Sequence, residues 1–172
     1  MNIMQSTVRI EKVTLNFGAG KDQNRLEKGA ALIESIAGIK PVRTVTQKRI
    51  PSWGLRPGLP VGAKLTLRGA AATTMAKRIL HAKDFKLKPS SIDGGGNISF
   101  GLPEYIDIEG AKYDPAIGIM GLEACITLSK PGYRVKRRAL LTSHVGKRQT
   151  VSKQEAMTFM TKTFNVNFGD TP

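Results

Sequence analysis

The chain has 172 residues, a length that suits one domain, and its 27 lysines and arginines against 13 acidic residues give a formal charge of +14. About 70% of the unfolded surface of such a chain can be buried, so the core needs no stabilising metal. The single cysteine, Cys125, excludes an intramolecular disulfide and fits a reducing compartment. No apolar run approaches the ~20 residues of a membrane span and the N-terminus lacks the apolar core of a signal peptide, so we expect no membrane partner.

The first part of the chain carries a strand pattern, a helix pattern and a second strand pattern. Residues 8–17 alternate apolar and polar side chains, which predicts a half-buried strand. Apolar residues then recur every three to four positions, which predicts a helix over residues 22–37, and Gly38 is a suitable C-cap. The β-branched, alternating residues 41–47 predict the second strand.

A proline-rich segment separates the second strand from the third. Pro51, Pro57 and Pro60 exclude a regular element from residues 48–60. Residues 61–68 alternate again and predict the third strand. Two neighbouring strands joined by so long a loop predict a hairpin with an extended tip.

The middle of the chain predicts a second helix and two further strands. Residues 70–81 are rich in alanine and place apolar side chains at helical spacing. A glycine-rich turn leads into a short strand over residues 98–101. Residues 117–128 are the most apolar strand candidate.

The C-terminal part predicts a turn, a returning strand and a third helix. Pro131 and Gly132 occupy the centre of a predicted type II turn. Residues 133–141 would then return as a strand paired with the one before the turn. Ser152 and Glu155 form a capping box, which predicts the start of a helix over residues 152–163.

The order of these elements predicts an α+β fold. We expect one domain over residues 1–172, with a mainly antiparallel sheet, helices packed on one face, a long projecting hairpin loop at 48–60 and a basic hairpin extension at 129–151. The other sheet face is expected to be polar and partly basic, and it would carry Thr14, Asn16, Lys64, Thr66, Arg68, Glu123 and Thr127.

The positive charge is concentrated in two stretches that contain no acidic residue. Ten lysines and arginines lie in residues 35–83 and eight lie in residues 124–154, which is eighteen of the 27. A surface that is only kept soluble intersperses the two signs. Lysine on one helix face or edge strand would explain one such run, but two runs that span several elements favour nucleic-acid binding.

The residues that could support catalysis do not form a recognisable site. Gly18–Asp22 fails the phosphate-loop pattern and is better interpreted as a strand-to-helix turn. His81 and His144 each lack a second ligand at metal spacing, and Cys125 is expected to be a small buried hydrophobic residue. We therefore expect no enzyme activity, no catalytic residue, no metal, no cofactor and no small-molecule substrate.

Four long segments closely resemble the fifth large-subunit ribosomal protein, in its archaeal and eukaryotic branch. They are KVTLNFGAG (12–20), GIKPVRTVTQKRIPSWGLRPGLPVGAKLTLRG (38–69), SFGLPEYIDIEGAKYDPAIGIMGLEACITLSKPGYRVKRR (99–138) and VGKRQTVSKQEAMTFM (145–160). The resemblance implies that the chain binds 5S rRNA and attaches it in the central protuberance. It also implies contacts with large-subunit rRNA, with neighbouring proteins of the protuberance and with P-site tRNA.

The resemblance extends to individual residues. The RNA-facing residues of the family match Asn16, Thr66, Arg68 and Glu123, and the loop that reaches the tRNA matches residues 48–58. Ile39 stands where bacterial members often have glutamine, so no polar RNA contact is expected there. The four matching residues also lie on the polar sheet face that the alternation predicts.

Together the residues and the resemblance yield two sets of candidate contacts. The candidate rRNA-binding residues are Asn16, Arg43, Thr44, Lys64, Thr66, Arg68, Glu123, Arg134, Lys136, Arg137 and Arg138. The candidate tRNA-contact residues are Lys48, Arg49, Ile50, Trp53, Leu55 and Arg56. The alternative is a free regulatory protein that binds DNA or messenger RNA, although strands separate the helices that a helix-turn-helix would need side by side.

Overall fold

The computed structural model describes residues 7–169, which contain three α-helices and seven strands. In chain order these are β1 (Arg9–Gly18), α1 (Gln23–Ala37), β2 (Val42–Val45), β3 (Pro60–Leu67), α2 (Gly69–His81), β4 (Lys86–Leu87), β5 (Asn97–Leu102), β6 (Leu122–Ser129), α3 (Lys153–Phe164) and β7 (Asn167–Phe168). None of the helices in this range has the length and apolar character that a membrane span requires.

Five of the strands form one antiparallel sheet in the order β2-β3-β1-β6-β5. Strands β4 and β7 form a separate parallel pair. The sheet mixes distant parts of the chain, because β3 lies between β2 and β1 and β1 pairs with β6. The predicted α+β class with a mainly antiparallel sheet is confirmed.

Local signals fix the helix ends. The Asp22 carboxylate accepts hydrogen bonds from two backbone N–H groups in the first turn of α1, and Gly38 ends that helix with a φ of 68°. At α3 the Ser152 side chain accepts from the Glu155 N–H, and the Glu155 side chain accepts from the Ser152 N–H. The capping box therefore starts the helix where the sequence predicts it.

The core lies on one side of the sheet, between the strands and the helices. Strand β1 contributes Val13, Leu15 and Phe17, and the alternate residues of β3 and β6 are buried beside them. All three helices add side chains to the same core cluster. The alternation of buried and exposed residues leaves the other side of the sheet polar.

The apolar strand begins later than its composition predicts. Residues 117–121 precede β6, which starts at Leu122, where Leu122 pairs with Leu102 of β5. Gly118 adopts a left-handed φ of 78°, so the chain turns there before it enters the sheet. Composition alone did not reveal this turn.

The predicted return strand over residues 133–141 is wrong. Tyr133–Lys136 is a 3₁₀ helix, although Gly132 has the positive φ (96°) that a type II turn needs. The reason is topological, because β1 and β5 already occupy both edges of β6 and leave no partner for a returning strand. Residues 129–151 therefore form a basic segment without a strand hairpin.

An ion pair between the buried Lys130 and the exposed Glu155 attaches this basic segment to α3. The Lys130 side chain is 4% exposed, and its Nζ donates to Oε1 of Glu155 at 2.7 Å and to the Thr150 carbonyl at 3.4 Å. The hydrogen bond from Lys130 is the main cause that lowers the pKa of Glu155, and the Ser152 backbone N–H adds to it.

The lowered pKa makes stability depend on acid. Because the pKa of Glu155 is lower in the folded state, the pair stabilises the fold above the ordinary glutamate pKa of about 4.3, and this stabilisation disappears as the pH falls through the lower value. Between about pH 6 and about pH 3, we expect the thermal midpoint of the Lys130→Met variant to fall less than that of the wild-type protein. Lys153→Met, at an exposed position of α3, should leave the profile unchanged. An identical acid profile for Lys130→Met would contradict this assignment.

Candidate nucleic-acid interface

The polar face of the sheet consists of three rows of side chains that run across the strands. Directly paired residues of an antiparallel ladder point to the same face. The rows are Lys64–Asn16–Glu123, Thr66–Thr14–Cys125–Ser99 and Lys12–Thr127–Asn97. With Arg68, which follows β3, these residues are called the polar face below. The register thus brings together Asn16, Thr66 and Glu123, three of the four residues that the family resemblance singled out, and Arg68 lies next to the third row.

The first row contains a fixed pair of polar side chains. Nδ2 of Asn16 donates to Oε2 of Glu123 at 2.9 Å, across the β1–β6 pairing. The bond orients the Asn16 amide and leaves its oxygen free to accept another hydrogen bond. The Glu123 carboxylate accepts only, so it suits the N–H donors of a base or a 2′-hydroxyl and not a phosphate.

The second row consists of short, uncharged side chains. Its members are threonine, cysteine and serine, so a bulky ligand can approach the backbone of the sheet closely there. Cys125 is half-buried in this row. The expectation that Cys125 is a buried hydrophobic residue is therefore wrong, because its side chain points to the polar face and not to the core.

The third row borders an open cavity of about 600 Å³ between the sheet and the basic segment. Its lining includes four basic residues, Lys12, Arg68, Lys136 and Arg137, together with Glu11 and His144. An adjoining cavity of about 530 Å³ is lined by Arg9, Arg68, Arg134 and Arg137 among others. The basic segment thus extends the positive surface beyond the end of the sheet.

The other candidate rRNA-binding residues are distributed unevenly. Thr44 pairs with Gly62 and points to the polar face, whereas Arg43 pairs with the buried Ala63 and so lies on the core side, at the open edge of β2. Arg138 is exposed, but its Nε donates to the Leu141 carbonyl at 2.6 Å. Arg43 is therefore the candidate that the structure separates from the polar face.

Not every basic residue of the two acid-free stretches is available to a ligand. Lys130 is buried in its ion pair with Glu155. Arg78 is half-buried, and it donates to the Ile36 carbonyl at 3.0 Å and to the Glu109 carbonyl at 2.8 Å. Both side chains hold parts of the fold together, so the count of basic residues overstates the positive charge that a ligand can reach.

The hairpin loop between β2 and β3 is ordered by its own backbone. Ile50 and Leu55 exchange two N–H···O=C bonds of 3.1 Å, and Thr46 bonds to Leu59 and Gly58 at the base of the loop. Trp53 lies between Ile50 and Leu55, at the tip of the loop, and is 67% exposed. The Trp53 ring therefore projects from the loop, and Lys48, Arg49 and Arg56 are exposed near it.

Leu55 corrects the predicted set of tRNA contacts. Its side chain is only 7% exposed, so it supports the loop from within and is not available to a ligand. The sequence placed Leu55 with Trp53 because both are apolar residues in a segment without regular structure. Only the cross-loop pairing with Ile50 distinguishes them.

The two apolar side chains of the loop should respond differently to truncation. Trp53→Ala removes an exposed ring, and we expect a change in unfolding free energy within about 0.5 kcal/mol. Leu55→Ala removes a buried side chain, and we expect a cost of about 2 kcal/mol or more. Thermal unfolding measures both, and at this chain length the second change corresponds to a midpoint drop of about 4–8 °C. A large drop for Trp53→Ala would mean that the ring packs on the protein in solution.

Glu11, which lines the cavity beside the polar face, was not among the residues predicted from the sequence. A β-bulge between Ile10 and Lys12 inserts Glu11 as an extra residue in β1 and shifts the alternation by one position. The signal was present, because Ile10 and Val13 both pack in the core and are three residues apart, whereas strict alternation requires an even spacing.

Within residues 7–169 no group of three histidines, cysteines or acidic residues could hold a metal ion.

Comparison with known proteins shows which family the chain is similar to. The model of the ribosomal protein L5 family matches residues 2–56, and the model of the C-terminal region of the same family matches residues 60–159. A large ribosomal subunit protein uL5 from Sulfurisphaera tokodaii is 46% identical over 160 residues, which cover 92% of this chain and 90% of the relative. The uL5 protein of Nanoarchaeum equitans is 50% identical over 149 residues, which cover 86% and 88%. The uL5 protein of Sulfolobus acidocaldarius is 44% identical over 165 residues, which cover 96% and 92%.

Proposed function

The chain belongs to the ribosomal protein L5 family, and from that premise we propose that its polar face binds 5S rRNA. Family membership makes it a structural protein of the large ribosomal subunit and not an enzyme, with large-subunit rRNA as a partner. The observation that carries the 5S proposal is the strand register, which aligns Asn16, Thr66 and Glu123 on one open surface. Arg68, directly after β3, lines a cavity at the end of this surface.

The chemistry of the polar face suits folded RNA. The major groove of A-form RNA is too narrow for side chains, so proteins read phosphates, 2′-hydroxyls and unstacked bases. Lys64 and Arg68 supply charge at opposite ends of the surface, and Asn16 and Thr66 supply short, directional hydrogen bonds. The low second row lets the ribose–phosphate backbone lie close to the sheet between the two charges.

The basic segment extends the same proposal. Residues 129–151 carry Arg134, Lys136 and Arg137 beside the cavities at the end of the polar face. These residues would join the sheet in one RNA-binding domain over residues 1–172. Bound in this way, the protein attaches 5S rRNA in the central protuberance, where neighbouring ribosomal proteins complete the contacts.

The loop tip is the proposed contact with P-site tRNA. Trp53 is exposed on a loop that its own backbone bonds keep in shape, and Arg49 and Arg56 are exposed near it. An aromatic ring beside guanidinium groups suits stacking on a base or a sugar with a phosphate bound next to it. Trp53→Ala should weaken tRNA binding to assembled ribosomes and leave 5S rRNA binding unchanged.

Titration of 5S rRNA at several salt concentrations tests the central proposal. If the protein neutralises about six phosphates, log K against log salt should have a slope of roughly −4 to −5. The same titration with a non-ribosomal RNA of equal length provides the matched control and should show weaker binding. A slope shallower than about −2 would mean that the basic residues hardly engage the RNA.

Co-sedimentation distinguishes this proposal from a free regulatory protein. A ribosomal component should remain with large subunits at moderate salt. A regulatory protein that binds messenger RNA or DNA would stay in the supernatant, and that result would contradict the proposal.

A further inference from the structure

Glu11 contacts two arginines that come from different parts of the chain. Its Oε1 lies 2.8 Å from an Nη atom of Arg137 and 3.5 Å from an Nη atom of Arg68. The Glu11 side chain is only 14% exposed, whereas the Arg68 and Arg137 side chains are 54% and 50% exposed. One sheltered carboxylate therefore lies between two guanidinium groups that still face solvent.

The fold holds each member of this cluster in a defined place. The β-bulge directs Glu11 out of the regular alternation, and Arg68 directly follows the end of β3. Arg137 comes from the basic segment, just after its 3₁₀ helix. In that helix the Tyr133 hydroxyl accepts a hydrogen bond from the Val151 N–H at 3.3 Å, which ties the segment to the chain before α3.

The cluster also borders both cavities at the end of the polar face. Glu11, Arg68 and Arg137 line the cavity of about 600 Å³ and the adjoining cavity of about 530 Å³. Lys12 and Lys136 line the larger cavity as well. A ligand at the cluster would therefore meet positive charge from the sheet on one side and from the basic segment on the other.

We infer that Glu11 positions Arg68 and Arg137 as a clamp for one backbone phosphate of the bound RNA. This inference rests on the proposed function and adds to it a phosphate site and a positioning residue. A guanidinium has five N–H donors in a planar fork, so one edge can contact Glu11 while the outer donors bind a phosphate oxygen. The carboxylate touches no RNA in this arrangement and acts through the two arginines.

Glu11 affects RNA binding in two opposite ways: its positioning of the arginines strengthens binding, whereas its negative charge weakens it. These opposite effects make the inference testable. An acidic residue near a polyanion repels it, so its removal should strengthen RNA binding if charge were its only effect. A long, flexible arginine loses rotamer freedom when it binds, and a partner that already holds it reduces that loss. Glu11 is largely shielded from solvent and contacts both arginines. We therefore expect the gain from positioning to exceed the loss from charge repulsion.

The experiment is a double-mutant cycle on Glu11 and Arg137, read out as 5S rRNA affinity and its salt dependence. Glu11→Ala should weaken binding about 5- to 10-fold and make the salt slope shallower by about 0.7 to 0.9, the value for one lost phosphate. Arg137→Ala should cause a similar loss. The double variant should bind only slightly worse than either single variant, because both changes remove the same phosphate contact.

Matched variants separate positioning from charge and from folding. Glu27→Ala, at an exposed position of α1, also removes one acidic residue and should leave affinity unchanged or slightly higher. Glu11→Gln keeps the size of the side chain and serves as the second variant if Glu11→Ala lowers the thermal midpoint. Because the glutamine carries no charge to hold two guanidinium groups, it should still weaken binding and reduce the slope.

The possible results distinguish the clamp from the proposed function. Wild-type protein that does not prefer 5S rRNA to a non-ribosomal RNA would contradict the proposed function. A wild-type preference for 5S rRNA with equal or tighter binding by both Glu11 variants, at an unchanged slope, would overturn the clamp alone. Additive losses in the cycle would likewise overturn it, because Glu11 and Arg137 would then act independently.

Discussion

Replacement of Lys64 and Arg68 together by alanine is expected to weaken 5S rRNA binding by about 100-fold or more. A hydrogen bond that involves a charged group contributes about 1.5–3 kcal/mol, and each 1.4 kcal/mol corresponds to a factor of ten in affinity. The two side chains are exposed at opposite ends of the polar face, so their losses should add with little coupling. Titration of labelled 5S rRNA measures the change.

A control with the same change of net charge separates contact from general attraction. Lys28→Ala with Lys77→Ala also removes two positive charges, from exposed positions on α1 and α2. These helices pack on the opposite side of the sheet from the polar face, so we expect a loss of less than about fivefold, through screened long-range attraction alone. Equal losses for the two double variants would mean that RNA binding follows net charge and not the polar face.

Gly29→Ala is expected to destabilise the protein. A Cβ at Gly29 would lie 2.1 Å and 2.3 Å from ring carbons of Phe17, which is itself buried. Exchange of glycine for alanine inside a helix normally stabilises it by about 1 kcal/mol. Overpacking in a core costs about 1–3 kcal/mol, and a contact this short requires α1 or the ring to move. We therefore expect a net destabilisation of up to about 2 kcal/mol in denaturant unfolding.

The reverse exchange two residues further along the helix is the control. Ala31 is exposed on the same helix, so Ala31→Gly should cost about 1 kcal/mol through helix propensity alone. Opposite exchanges in one helix should then both destabilise the protein. A stabilised Gly29→Ala variant would show that the approach of α1 to Phe17 is looser than the structure indicates.

Patterns of local origin were predicted well from the sequence. The bounds of α1 depend on the Asp22 and Gly38 caps, and the start of α3 depends on the capping box, all of which lie within a few residues of the helix end. The alternation in β3 and β6 predicted which side chains face the core. The polar face follows from the same alternation, which is why Asn16 and Glu123 could be named in advance.

Features that depend on distant partners were not predicted. The segment after Gly132 has the composition of a strand, but both edges of β6 are occupied by strands whose pairing no local pattern reveals. Leu55 and Trp53 look alike in the sequence, yet a cross-loop pairing buries the first and leaves the second exposed. The cluster around Glu11 needs a β-bulge and a basic segment folded back on the sheet, so it emerged only from the structure.

The position of the single cysteine allows the central claim to be tested without altering the protein. Cys125 lies half-buried in the second row of the polar face, between Thr14 and Ser99. The measurement is the rate at which a small maleimide alkylates this thiol in free protein and in protein saturated with 5S rRNA. A variant with Cys125→Ser and Ala31→Cys carries its thiol on α1 instead and serves as the control.

If RNA covers the polar face, saturation with 5S rRNA should slow the alkylation of Cys125 by about tenfold or more, in proportion to the fraction of protein with a free face. The thiol on α1 should react at the same rate with and without RNA. An unchanged rate at Cys125 in the saturated complex would contradict the account, because 5S rRNA would then be bound by some other surface.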